Sequence, residues 1–205
     1  MLKHSLIATA ILLASSTVFA TPDYEGWYVG GSFGGASIEL DPDEYNYFDY
    51  ERTSAAITSI YGGYNFTSWF GVDFDVTQSS EFDAGASNAD AKLFGTSVAG
   101  IFHWRFSNHI SLYGRTGIQF FQMEQTVDYL NGDESNDWTG AGLVGGIGAE
   151  YQFNSGITLR LDYRRTSTIE LDVKEKDDDG NYYYWDDSSY DLSYNATTIG
   201  MHYQF

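Results

Sequence analysis

From residue 26 onward, apolar side chains return at every second position, in one stretch after another. In ITLRLDYRR, Ile157, Leu159, Leu161 and Tyr163 fall on one side, and Arg160, Asp162 and Arg164 on the other. In FGVDFDV, Phe70, Val72, Phe74 and Val76 oppose Asp73 and Asp75. Leu143, Gly145, Ile147, Ala149, Tyr151 and Phe153 oppose Gly146, Gly148, Glu150 and Gln152, and Val98, Gly100, Phe102, Trp104 and Phe106 oppose Ser97, Ala99, His103 and Arg105. Period two is the mark of a strand with two unlike faces, and helical periodicity is hard to find in this chain. Eight such segments are read, at 26–35, 53–66, 70–80, 92–106, 110–124, 138–153, 157–171 and 190–205. The chain is expected to be all-β.

The joints between the segments come in two sizes. FTSWF, SNH and NSG make tight turns, whereas residues 36–52, 81–91, 125–137 and 172–189 form long polar connections. Short turns at one end and long loops at the other predict an eight-stranded antiparallel up-and-down barrel. In a soluble barrel the charge-rich face would point outward. Here one face is read as free of charge, while the other is crowded with Gly, Ser and Thr and carries few ions. The apolar face also ends in aromatics at the turn end: Tyr64, Trp69, Phe70, Trp104, Tyr151 and Tyr203. That is the pattern of an interfacial girdle, so the barrel is read as transmembrane, apolar side out.

Residues 1–20, MLKHSLIATAILLASSTVFA, have a basic start, a short apolar run and Val-Phe-Ala before Thr21. They are read as a cleaved signal peptide, leaving residues 21–205 as one barrel domain. The absence of Cys leaves an exported fold without disulfides. Without Lys3 there remain 9 basic and 29 acidic side chains, a formal charge of −20. Nucleic acid is excluded as a partner on that charge. Residues 39–52, 81–91, 124–137 and 170–191, the long connections with their strand ends, hold 23 of the 29 acids, placing charge where water would be.

Five stretches carry a resemblance to a known family: GWYVGGSFG (26–34), GGYNFTSWFGVDFDV (62–76), ISLYGRTGIQF (110–120), GGIGAEYQFNSGITLRLDY (145–163) and TIGMHYQF (198–205). They resemble the OmpA-like eight-stranded barrels, the small "porin family" or opacity-type outer-membrane proteins of Gram-negative bacteria. The resemblance implies residence in the cell outer membrane among lipid and lipopolysaccharide. It also implies recognition of the terminal Met201, Tyr203 and Phe205 by the barrel-assembly machinery. The family's optional peptidoglycan-binding domain is not expected, because residue 205 closes the last strand. The resemblance covers most strands and none of the long loops.

The most specific constellation is a set of charges on the inward face. Counting from the turn end, Asp73, Glu150 and Arg160 lie about four residues in, and Asp75, Arg115 and Asp162 about six, which puts them in two adjacent layers. Arg105 and Arg164 add to the same face, making four acids and four bases. Buried ions must pair, so an ion-pair network is expected, as a structural plug or as the gate of a narrow ion channel. The resemblance supports interior ionic roles at Asp73, Arg115, Glu150, Arg160 and Asp162, some acting as a gate. Asp at 73 and 162 is short for such pairing.

Other motifs read more blandly. EKDDDGNYYYWD places Glu175, Asp177, Asp179, Gly180 and Asp186 near a calcium-loop spacing, but position one is normally Asp and no helices flank it. It is read as a solvated acidic loop that binds divalent cations at most loosely. GAGLVG (140–145) matches a nucleotide fingerprint by chance, since no helix follows it. No cofactor is expected. The histidines His103, His109 and His202 all fall near the tight turns, where no rim base for hydrolysis or acyl transfer could form, so an enzyme is not expected. YNYFDY (45–50) and NYYYW (181–185) are Tyr-rich surfaces, read as loop packing or as the contact site of an adhesin or receptor whose extracellular ligand the sequence does not name.

Overall fold

A computed structural model describes residues 24–41, 53–83, 89–129, 132–176, 182–185 and 191–205. The strands are β1 (Gly26–Asp41), β2 (Thr53–Asn65), β3 (Phe70–Ser79), β4 (Phe82–Asp83), β5 (Ala89–Arg105), β6 (Ile110–Tyr129), β7 (Gly132–Gln152), β8 (Ile157–Lys176), β9 (Tyr182–Trp185) and β10 (Asp191–Gln204). Eight long antiparallel strands pair in chain order, and β10 returns to pair with both β8 and β1. The short β4 and β9 attach to β5 and β8 near the loop end.

Following cross-strand partners from Tyr28 leads through Gly63, Asp73, Ala99, Gly117, Val144, Thr166 and Tyr194 to Ile38. One circuit therefore climbs ten residues along β1, from 28 to 38. Ten residues of stagger over eight strands requires a tilt of about 40° from the barrel axis. Closure leaves no sheet edge whose backbone would lie bare in lipid.

The three tight turns are built from local chemistry. Phe66 N–H and Thr67 N–H donate to Phe70 O, while Thr67 Oγ1 accepts from Trp69 N and Phe70 N. Ser107 Oγ plays the same part for His109 N and Ile110 N. In the third turn Gly156 has φ of 79°, a left-handed conformation that favours glycine. Its carbonyl accepts from Gln204 N at 3.0 Å, and Phe205 N donates to Trp27 O at 2.9 Å, which ties the last residue into the closing seam.

Burial follows the period of two. Outward positions include Phe33, Ile60, Phe74, Trp104, Ile147, Leu161 and Met201, whereas their neighbours in sequence face in. The outward aromatics at the turn end touch as a belt: Trp27 with Tyr64, Phe66 with Phe70, Phe70 with Phe102, Tyr151 with Phe153, and Tyr203 with Phe205.

Three sequence expectations need correction. First, β1 and β5–β8 run past the predicted ends, so residues 36–41 pair with β10, and residues 125–129 and 132–137 form a hairpin ladder, where loops were expected. In the hairpin stretch the period fades from the sequence while the backbone ladder continues. Second, the outward face is not free of charge, because Arg165 is exposed there on β8. Third, Arg105 is not inside. It lies half-buried at the turn-end rim, where Nε donates to Ser68 O at 2.6 Å and the guanidinium sits 3.5 Å from the Tyr24 ring centroid.

Candidate functional site in the barrel lumen

The inward face divides into two tiers. Nearer the turn end, strands β3, β6, β7 and β8 bring Asp73, Asp75, Arg115, Glu150, Arg160, Asp162 and Arg164 together, all buried. Nearer the loop end, Ala36, Ile38, Ala55, Ile57, Phe82, Leu93, Phe121, Met123, Tyr194 and Ala196 form a buried apolar cluster. Gly, Ser and Thr with a few ions were expected on the inward face; the large apolar side chains of the upper tier depart from that. Phe82 belongs to that tier because the ladder against β5 shifts by one residue between Gln78↔Phe94 and Phe82↔Ala91, which turns inward a position that the parity of β3 would point out.

Arg160 is the hub of the lower tier. Its Nη1 lies 2.7 Å from Asp73 Oδ2, and both Nη2 and Nε lie 2.9 Å from Glu150 Oε1. Arg115 Nη2 and Arg164 Nη1 each lie 2.9 Å from the same oxygen, Asp75 Oδ2. Arg164 Nη2 also donates to Ser59 Oγ and Thr77 Oγ1, both at 3.1 Å. Asp73 reaches its partner closely despite its length. Asp162 does so loosely, 3.8 Å from Arg115 Nη1, and accepts a short hydrogen bond from Tyr113.

Parity did not single out the neutral groups that complete this tier. The Arg160 guanidinium lies 4.7, 4.9 and 5.5 Å from the ring centroids of Tyr61, Tyr113 and Tyr28, within cation–π range. Tyr28 OH donates to Asp73 Oδ2 at 3.1 Å. Each of these tyrosines stands directly across from a glycine: Tyr28 from Gly63, Tyr61 from Gly30, and Tyr113 from Gly148. A Cβ on Gly148 would lie 2.3 Å from Tyr113 Cζ, so the missing side chain is the space the ring occupies. A tyrosine at inward parity facing a glycine was the available signal.

With Arg105 elsewhere, four carboxylates meet three guanidiniums. His103 Nδ1 lies 3.3 Å from Glu150 Oε2, and when protonated it makes the fourth cation. His202 packs against Tyr28 and Tyr61, and His109 lies in the second tight turn. The free space among Ser32, Tyr61, Asp75, Arg115, Arg160 and Thr198 is about 10 Å³. A single water needs about that much.

Met201 and Phe205 point outward beside Tyr203, at the turn end of β10. Of the calcium-like loop, Asp177, Asp179, Gly180 and Asp186 lie outside the described residues, as does the 45–50 tyrosine stretch. Glu175 is placed only as backbone in β8, and Tyr182–Trp185 as the backbone of β9. Residues 1–20 also lie outside the described residues. Among the described residues no group of three metal-binding side chains converges.

A closed antiparallel barrel with an apolar outer face, an aromatic belt and a charged interior is a membrane-spanning β-barrel. The chain belongs to the outer membrane protein beta-barrel domain family, whose model matches residues 6–205. It is therefore a protein of the cell outer membrane. A comparison with curated proteins finds no match. Among solved structures it is similar to Neisserial surface protein A, at 16% identity and TM-score 0.60, covering 88% of this chain and 97% of that one. It is also similar to the outer membrane protein OprG from Pseudomonas aeruginosa, at 15% identity and TM-score 0.58, covering 91% and 99%. A third likeness is to Ail, the attachment invasion locus protein of Yersinia pestis, at 19% identity and TM-score 0.51, covering 88% and 99%. At these identities the likeness is one of fold.

Proposed function

We propose that this protein is a non-catalytic structural barrel of the outer membrane, with acidic extracellular loops and a lumen plugged by its own side chains. The carrying observation is the pairing of every lower-tier guanidinium with carboxylates around a residual space of about 10 Å³. The apolar tier above adds a second barrier, because ions do not cross a dry constriction cheaply. The rival reading is a narrow gated channel with Arg160 as the gate. Planar-bilayer conductance of the purified protein separates the two. Silence from both wild type and Arg160→Ala is the expected result, and a step increase in the variant would establish the gate.

The tight-turn end faces the periplasm in this reading, and export removes residues 1–20. The exported protein is then expected to begin at Thr21 on N-terminal sequencing. Met201, Tyr203 and Phe205 serve as the assembly signal, supported by their outward position at the end of the closing strand.

A surface-contact role is a second reading, favoured by strand length. A membrane crossing needs about 9–11 residues, whereas β6 has 20 and β7 has 21. The excess lifts a ladder beyond the bilayer. The relatives named as a surface protein and an attachment protein suit that reading. Deleting residues 177–187 is expected to leave barrel formation intact; loss of cell binding alongside intact folding would identify the loops as the contact site.

A further inference from the structure

The outward wall is not the same height all round. Its apolar side chains run ten residues up β5, from Trp104 to Phe94, and ten up β6, from Ile110 to Phe120. On β2 they end at Ile60, four residues above Tyr64, and on β10 at Ile199, four above Tyr203. At about 3.3 Å per residue and about 40° of tilt, the collar is about 25 Å tall on the first flank, about 10 Å on β2 and β10, and about 15 Å on β1 and β8, where Phe33 and Tyr163 are the last apolar side chains; on β7 it rises again to Leu143. Beyond it, the second flank shows Thr197, Asn195 and Ser193 on β10, Ser37 on β1 and Arg165 on β8.

Arg165 stands eight residues above Ile157, about 20 Å up the wall by the same measure. Below Lys92 and Glu124 at the loop end, it is the one charged side chain on the outward face of the described strands. An arginine facing lipid at mid-bilayer costs about 2–4 kcal/mol, falling to about 0–1 kcal/mol near the headgroups. The cost is least where an anion meets it.

The surroundings leave that side chain open. Nη2 donates to Ser193 Oγ at 3.1 Å, one use among five N–H donors, and no carboxylate pairs with it among the described residues. Gly145 sits directly across on β7, and Gly35 faces Thr197 on β1; a Cβ at either would meet nothing within 4 Å. Tyr163 OH donates to Asn195 Oδ1 at 3.3 Å, which leaves the Asn195 amide nitrogen for a further acceptor. On a protein of net charge −20 after export, an uncovered guanidinium at this level calls for an anion from the membrane itself.

We propose that Arg165, with Ser193 and Asn195, binds the phosphate of a glycolipid headgroup in the outer leaflet. The guanidinium fork matches two phosphate oxygens, and the short collar on this flank lets the headgroup descend to reach it. The assignment rests on the orientation proposed above. That orientation is read separately, by labelling Asp179→Cys in intact cells with a membrane-impermeant maleimide.

The test is native mass spectrometry of the folded barrel in detergent, titrated with bisphosphorylated lipid A, with the same glycolipid stripped of phosphate, and with phosphatidylglycerol. Heat-shifted mobility on a gel confirms that each variant is folded. The wild type is expected to retain bisphosphorylated lipid A in preference to both other probes. Arg165→Gln is expected to weaken retention about tenfold, with Arg165→Lys in between. Lys92→Gln, whose ammonium already lies 2.9 Å from Glu81, is expected to bind as wild type. Undiminished binding by folded Arg165→Gln would overturn the proposal, as would equal retention of the phosphate-free glycolipid. Preference for phosphatidylglycerol would overturn the outer-leaflet assignment. A dimer that Arg165→Gln dissolves would show that a second copy covers the patch instead.

Discussion

Arg160 shows how much of the lumen hangs on one side chain. It holds Asp73 and Glu150 at once and lies among three tyrosine rings. Arg160→Ala would leave two buried carboxylates without their cation, a loss of about 3–5 kcal/mol. The variant is expected to lose its heat-resistant gel mobility at a lower temperature than wild type, or in less urea when folded in vesicles. An unchanged transition would mean that water or a neighbouring arginine takes over. At this scale the sequence was readable where charge and parity coincide: seven ionic residues share one face, and the structure gathers them. Arg105 obeyed the same parity and still lies outside the group, because it is the last residue of β5 and the turn carbonyl of Ser68 is nearer than any carboxylate. Tyr28, Tyr61 and Tyr113 went unnoticed for a different reason. Tyrosine also suits the belt, and inward parity together with a cross-strand glycine tells the two uses apart.

Among the elements, the turn end was legible and the loop end was not. FTSWF, SNH and NSG each supply a hydroxyl acceptor or a glycine where the backbone needs one. Gly156→Ala must hold a Cβ at φ of 79° and 3.2 Å from Gln204 O, which costs about 1–3 kcal/mol. It is expected to slow closure of the last hairpin, seen as a lower yield of heat-modifiable barrel after a fixed refolding time. Strand limits were missed at the other end because the period of two reports an environment rather than a backbone. Where lipid no longer lies on one side, side-chain choice relaxes while hydrogen bonding continues, as in the ladder from Gln125↔Asn136 to Tyr129↔Gly132. The two short strands β4 and β9 carry too few residues for any period to show.

For the whole molecule, closure depends on β10, which pairs on both sides. Removing Thr198–Phe205 takes away the lower half of both ladders and the Phe205–Trp27 tie. No heat-modifiable species is expected from the truncated chain in a refolding assay; a barrel formed without those residues would show that the seam closes from the loop end. The alternating pattern foretold the inside and outside of this cylinder, but not that its height varies around the circumference, since each strand's outward face looks ordinary when read singly. A flat sheet of fluid cannot wet such a cylinder evenly. Either the cylinder leans or the surrounding film dips beside β10 and β2, and a neighbour approaching from that side would find less oil to displace.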